Sequence, residues 1–206
     1  MKTRSERAAV NAAPRRVLVI GASASLGPDL VEGFCALGDD VLATTRSGAL
    51  AGVRDTVQVE SLDLLDTASL DRLAVRVMQS FGALDVAVFL AGILPGKALA
   101  TYDDALMQQV MSSNFTAQAA LAAFVKSLAT WLAPGLRVNA LAPALIEGSA
   151  MFEAMAPGRR SHHLASTPTG RLSTPAELAA VIVNLCEPAW SNLNGQVIRI
   201  NGGAHV

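Results

Sequence analysis

The feature that most constrains this chain is a short apolar run that ends in a glycine-rich turn. Residues 16–21 read RVLVIG, residues 21–27 read GASASLG, and a helical pattern follows. β-Branched residues without polar alternation predict a strand buried on both faces, the mark of a parallel sheet. A glycine turn between such a strand and a helix gathers backbone N–H groups at the positive end of the helix dipole, where a pyrophosphate is stabilised. Any tight strand-to-helix turn uses the same glycines, so the loop alone does not fix a ligand.

The alternation continues along the chain. Further strands are predicted over residues 40–45, 56–61, 84–91, 136–142 and 196–201, and helices over 26–37, 66–81, 102–132 and 175–186. Pro28 lies in the first turn of one helix and Gly38 just past its end, and Thr174 is the expected N-cap of another. Residues 151–174, rich in Gly, Pro, Ser and His, read as an irregular lobe. The predicted fold class is α/β: a Rossmann-like, doubly wound parallel sheet of six strands in order 3-2-1-4-5-6, with helices on both faces. A single domain is expected over residues 16–206, after a flexible tail over 1–15. Ligands of such sheets bind beyond the C-terminal ends of the strands, where strand order reverses.

Composition narrows the classes of function. With 206 residues, 51% of them hydrophobic and 16% charged, the chain has enough apolar material for one full core. A formal net charge of −1 gives no footprint for nucleic acid or an anionic membrane. The basic residues Lys2, Arg4, Arg7, Arg15 and Arg16 gather at the start and read as solvated, and Glu6 argues against a transit peptide. The apolar run 117–136 is broken by Gln118 and Lys126 and ends at Pro134-Gly135, so it reads as a buried helix and not a membrane span. Cys35 and Cys186 lie far apart in helical patterns, which suits reduced core thiols in a cytoplasmic protein, and no metal-ligand spacing is present.

The loop's spacing resembles the T-G-x-x-x-G-x-G loop of the short-chain dehydrogenase/reductase family, and other stretches resemble that family in order. Leu62-Asp63-Leu64 is similar to the stretch whose Asp contacts the adenine ring, and Ala91-Gly92 to the end of N-N-A-G. Asn114, in VMSSNFTA, matches the active-site Asn. Residues 137–143, RVNALAP, resemble the strand leading to the nicotinamide contact. Gly170-Arg171-Leu172 with Pro175-Ala176-Glu177 resembles R-x-x-x-P-x-E, and residues 195–203 resemble the last strand. The resemblance implies a dinucleotide site built from Gly21, Ser23, Ser25, Leu26, Gly27, Arg46, Asp63, Ala91, Gly92, Pro143 and Ile146. No acidic residue ends the second strand, Thr44-Thr45-Arg46-Ser47, so NADP(H) is the expected cofactor if one binds, with Arg46 meeting its 2′-phosphate or standing solvated.

The same comparison shows a loss. The family's reaction uses a Ser and a Tyr-x-x-x-Lys pair, helped by the Asn, to move a proton to or from a carbonyl oxygen. This chain has one tyrosine, Tyr102, and the residue four positions on is Leu106. Counting back from RVNA puts Gln118 where the Lys would be and Asn114 at the Tyr; counting forward makes Asn114 the active-site Asn. Two helices read as fused, with the Ser-bearing strand between them gone. Cofactor-loop positions have drifted too. Ser25 stands for the middle glycine, where its side chain obstructs the pyrophosphate or its hydroxyl donates to it. Phe89-Leu90 replaces the Asn pair, Ala144 the glycine after Pro143, and Gly148 a threonine, with Ser149 adjacent.

Three readings follow. The first is a member of this fold that keeps a weakened NADP(H) site, does not run the usual hydride transfer, and works as a binding or partner protein. The second is an NADP-dependent reductase using substitute groups such as Asn114, Ser149 or His162, the last beside His163 and the pair Arg159-Arg160 in the lobe. The third is non-redox chemistry, such as an isomerase or cyclase, with a small-molecule substrate. The alanine-rich helix 102–132 is the expected contact of a homo-oligomer, or of a pairing with an intact relative.

Overall fold

The computed structural model describes residues 13–64, 66–90 and 117–204. The chain forms two compact units, residues 1–91 and 92–206.

In the first unit four strands form one parallel sheet in the order β3-β2-β1-β4. They are β1 (Arg16–Ile20), β2 (Asp40–Thr45), β3 (Gln58–Ser61) and β4 (Val86–Phe89). β1 lies central, with Val17 and Val19 fully buried and Leu18 nearly so, as an unalternating apolar run requires. Helix α1 (Gly27–Ala36) packs on β1 and β2 and buries Leu30, Val31 and Phe34 completely. Each such side chain contributes about 1.5–3 kcal/mol. Helix α2 (Thr67–Phe81) closes the other side, where Leu73 and Val77 meet Leu18, Leu42 and Leu62. The α2 helix starts on Asp66, whose side chain accepts from the Ala68 amide, and stops at Gly82, whose φ of 71° favours glycine.

The N-terminal edge of this sheet is tied by two arginines. Arg15 donates through Nε and Nη2 to the two carboxylate oxygens of Asp39, at 3.0 and 2.7 Å. Arg16 does the same to Asp85, at 2.8 and 2.9 Å. Arg15, the last residue of the expected tail, is anchored: its amide and guanidinium both hold Asp39, whose side chain is only 5% exposed, while residues 1–12 lie outside the described residues.

In the second unit helix α3 (Ala117–Leu132) precedes β5 (Ala140–Pro143), and β5 pairs in parallel with β6 (Val197–Ile200). Between them lie α4 (Ala150–Ala154), α5 (Pro157–Ala165) and α6 (Pro175–Leu185). The expected order 3-2-1-4-5-6 is thus met piecewise, as 3-2-1-4 and as 5-6. The lobe read as irregular contains two helices, because Ser149 caps α4 and Pro157 opens α5. The expected strand over 136–142 begins only at Ala140. Before it, the Val138 amide donates to the Asn194 side chain, and Asn139 donates to the Leu193 carbonyl and accepts from the Gln196 amide, so side chains supply what a ladder would. Of the helix expected over 102–132, residues 117–132 are described and are helical. Among the described residues no helix is long and apolar enough to cross a bilayer, and no cluster of His, Cys, Asp and Glu is placed to hold a metal.

Candidate functional site

The glycine loop runs from the end of β1 into α1, at the C-terminal edge of the first sheet. Gly21 takes φ = 81°, a value other residues rarely adopt. Gly27 is buried, and a Cβ there would lie far inside van der Waals contact of the Ala22 carbonyl oxygen. These two glycines set the turn and the close approach of helix to strand, two of the three roles glycine plays in dinucleotide-binding turns.

The loop's own hydrogen bonds decide which amides are left for a ligand. The Ala24 amide donates to the Gly21 carbonyl at 3.0 Å and the Gly27 amide to the Ala24 carbonyl at 2.8 Å. The Ala22 amide donates to the Thr44 carbonyl at 2.8 Å, and the Gly21 amide to the Thr44 hydroxyl at 3.3 Å. Among the described residues the amides of Ser23, Ser25 and Leu26 find no acceptor. Helix α1 has Leu26 at its N-cap, with no side-chain cap to occupy its first turn. Neighbouring N–H groups without acceptors at a helix N-terminus suit an anion. The residues present therefore fit a pyrophosphate, with the exposed Ser25 side chain standing where the resembled loop has a glycine.

The second strand's end lies beside the loop. β2 finishes at Thr45 and the exposed Arg46 follows. The turn after it is held from three sides. The Thr45 hydroxyl donates to the Ala49 carbonyl at 3.2 Å, the Ser47 hydroxyl accepts from the Ala49 amide at 3.3 Å, and the Ser61 hydroxyl donates to the Arg46 carbonyl at 3.0 Å. The exposed Asp63 follows β3, its amide donating to the buried Ser69 hydroxyl at 3.1 Å. Seven of the expected cofactor residues, Gly21, Ser23, Ser25, Leu26, Gly27, Arg46 and Asp63, thus line one edge of one sheet.

Pro143 and Ile146 belong to the second unit. Pro143 ends β5 opposite Ile200, and Ile146 bridges Ser173. Ala91, Gly92 and Asn114 lie outside the described residues. Ser149, expected as a substitute polar group, is buried and committed. Its hydroxyl donates to the Ile146 carbonyl at 2.8 Å and accepts from the Phe152 amide at 3.2 Å as the cap of α4. His162 and His163 are exposed on α5, with ring centroids 6.4 Å apart. Arg160 bonds the Glu153 and Met155 carbonyls and lies over the Phe152 ring, closing the end of α4. The stretch around Arg171 is structural: Arg171 pairs with Glu177 at 2.7 Å, while Glu177 and Thr174 form a capping box on α6. The Arg171 guanidinium, and then the Thr174 amide, hold the Glu177 carboxyl down at about 2.

Sequence reasoning missed Thr44 and Thr45. Both are almost wholly buried, at 1% and 2% exposure, and both hydroxyls reach into the site's turns. The available signal was their place at the C-terminal end of a strand, directly after the apolar run Val41-Leu42-Ala43.

Comparisons with known proteins agree with this geometry. Residues 15–119 match the family model described as short chain dehydrogenase, and residues 115–205 the model described as Enoyl-(Acyl carrier protein) reductase. The 3-oxoacyl-[acyl-carrier-protein] reductase FabG of Vibrio harveyi is 25% identical over 236 positions, covering 92% of this chain and 96% of that protein. A short-chain dehydrogenase/reductase of Brucella melitensis superposes with a TM-score of 0.81 at 24% identity, covering 93% of this chain and 97% of that one. A 3-ketoacyl-(acyl-carrier-protein) reductase of the same organism, complexed with NADH, gives 0.79 at 20% identity, with 93% and 98% covered. The glycine loop, the parallel sheet and these matches along nearly the whole chain place it in the short-chain dehydrogenase/reductase family of oxidoreductases.

Proposed function

We propose that this chain is a nucleotide-binding member of its family, preferring NADP(H) to NAD(H), that does not run the usual carbonyl–alcohol hydride transfer. The observation that carries the binding half is the loop. Gly27 still occupies the position where no side chain fits, and three neighbouring amides face no internal acceptor. That arrangement suits a pyrophosphate, and the relative complexed with NADH carries a nicotinamide dinucleotide on the same fold. Arg46, at the end of β2, supplies a cation where an acidic residue would select NAD.

The sequence motivates the catalytic half. A general acid must lie within hydrogen-bond reach of the reacting oxygen, and the sole tyrosine is followed four residues on by Leu106. The length of the FabG match supports a lost segment. It spans 236 positions, while 92% of this chain is about 190 residues, so some 46 positions of the relative have no counterpart here. The protein then acts through binding, with a second copy or an intact relative docked along the segment 102–132, of which residues 117–132 are described and helical.

Titration with NADPH and NADH, followed by nicotinamide fluorescence, tests the first half. Tighter binding of NADPH is expected, and no binding of either at millimolar concentration overturns the proposal. The catalytic half is tested by NADPH oxidation over a broad panel of carbonyl substrates, where no turnover is expected. Stereospecific turnover of one substrate would establish the second reading, a reductase with substitute groups. The names of the curated relatives favour that reading, whereas the commitment of the Ser149 hydroxyl to an N-cap counts against one of its candidates.

A further inference from the structure

We infer that Thr44 and Thr45, adjacent at the end of β2, are separate positioning residues for the two halves of the nucleotide site, Thr44 for the pyrophosphate loop and Thr45 for the turn that carries Arg46. The inference rests on the nucleotide reading above and adds to it residues that touch no ligand themselves.

Successive side chains of a strand point to opposite faces. Thr44 shares a face with Leu42, whose side chain lies in the core cluster beneath α2, and Thr45 shares the other with Val41 and Ala43. A valine would fill either position with less desolvation, so a hydroxyl there calls for a reason. Each has one in a different turn. The Thr44 hydroxyl accepts the Gly21 amide at 3.3 Å, and its carbonyl accepts the Ala22 amide at 2.8 Å. With those two amides drawn onto β2, the loop is held at its base and the next ones, at Ser23, Ser25 and Leu26, are left for a ligand. In the family's loop pattern the residue before the first glycine is a hydroxyl-bearing Thr; here it is Ile20, and the hydroxyl that meets the loop comes from the neighbouring strand.

Thr45 acts on the other turn. Its hydroxyl donates to the Ala49 carbonyl and lies 3.4 Å from the Ser47 hydroxyl, while its carbonyl accepts the Leu62 amide at 2.9 Å. These contacts close residues 45–49 into a fixed bend around Gly48, whose φ is 74°. The backbone of Arg46 therefore leaves β2 from a set position, which fixes the root of its exposed side chain. Fixing the backbone that carries a cation removes part of the ordering cost of meeting a phosphate.

The two positions predict different selectivity patterns. Thr44→Val weakens NADH and NADPH by the same factor, about threefold to tenfold for one lost hydrogen bond at the pyrophosphate end. Thr45→Val weakens NADPH by a similar factor and leaves NADH unchanged, so the ratio between them falls. Thr44→Ser and Thr45→Ser restore the wild-type values, because they return the hydroxyl. Amide hydrogen exchange supplies a readout that needs no ligand: Thr44→Val speeds exchange at Gly21, and Thr45→Val at Ala49, whose amide donates to the Ser47 hydroxyl that Thr45 touches, each without the other. Equal losses for both nucleotides in both variants, or no loss in either, overturn the inference while leaving nucleotide binding intact. Failure of the wild type to bind either nucleotide removes the nucleotide reading itself, and with it this inference.

Discussion

At the scale of single residues, the loop keeps its steric requirements and has changed a chemical one. Gly27 cannot carry a side chain without displacing the Ala22 carbonyl, which is backbone and cannot step aside cheaply. Gly27→Ala is expected to cost on the order of 1–3 kcal/mol or more in a denaturation experiment and to abolish nucleotide binding; an unchanged midpoint would show that helix and strand do not approach as described. Ser25 is exposed and adds bulk where its amide faces no internal acceptor. Ser25→Gly is expected to tighten NADPH binding severalfold in the fluorescence titration. Weaker binding would mean that the hydroxyl is itself a donor to phosphate. The glycines were legible because their need is local, a positive φ or a missing Cβ. Thr44 was not, because its hydroxyl's partner, the Gly21 amide in the loop after another strand, has no trace in its own neighbourhood of sequence.

At the scale of elements, the clearest readings came where composition and capping agree. The runs at β1 and β2 are bounded by turn residues, and both strands fall where the pattern puts them. Thr174 caps α6 as expected, and Glu177 returns the bond to the Thr174 amide at 2.9 Å. Thr174→Ala should lower stability by about 1 kcal/mol, measured by denaturant midpoint, without altering nucleotide affinity. A fall in affinity as large as the fall in stability would contradict the structural role given to this stretch. Residues 151–174 were harder to read because α4 and α5 have 5 and 9 residues, too few to establish a hydrophobic period. Their capping signals, Ser149 and Pro157, are present but short. Residues 136–139 misled in the other direction. They carry a strand's composition, yet Arg137 donates to the carbonyls of Leu185, Trp190 and Leu193, so this segment clamps the end of α6 and the connection into β6 before it joins a ladder.

At the scale of the whole molecule, acid is expected to unsettle both units through named pairs. The Arg16 side chain, then its amide, holds the Asp85 carboxyl at about 2, below its ordinary 3.8, and Arg171 holds Glu177 at about 2, below 4.5. A carboxyl depressed on folding stabilises fully above its unfolded value and loses that contribution as pH falls through the folded one. The thermal midpoint should therefore be flat above about pH 5 and fall from about pH 4.5 to 2. Asp85→Asn should sit lower at neutral pH and decline less over that window; an identical slope would remove Arg16–Asp85 from the account. That pair is also half of a more general device. Arg15 and Arg16 are consecutive, yet one grips the chain just before β2 and the other the chain just before β4. A slip of β1 by a single residue would present each arginine to the wrong neighbour and strand Asp39, nearly buried, without its cation. The end of the sheet remote from the glycine loop thus acts as a proofreading edge. Misaligned strands are penalised there, and the opposite edge is left to vary its loops without endangering the register beneath them.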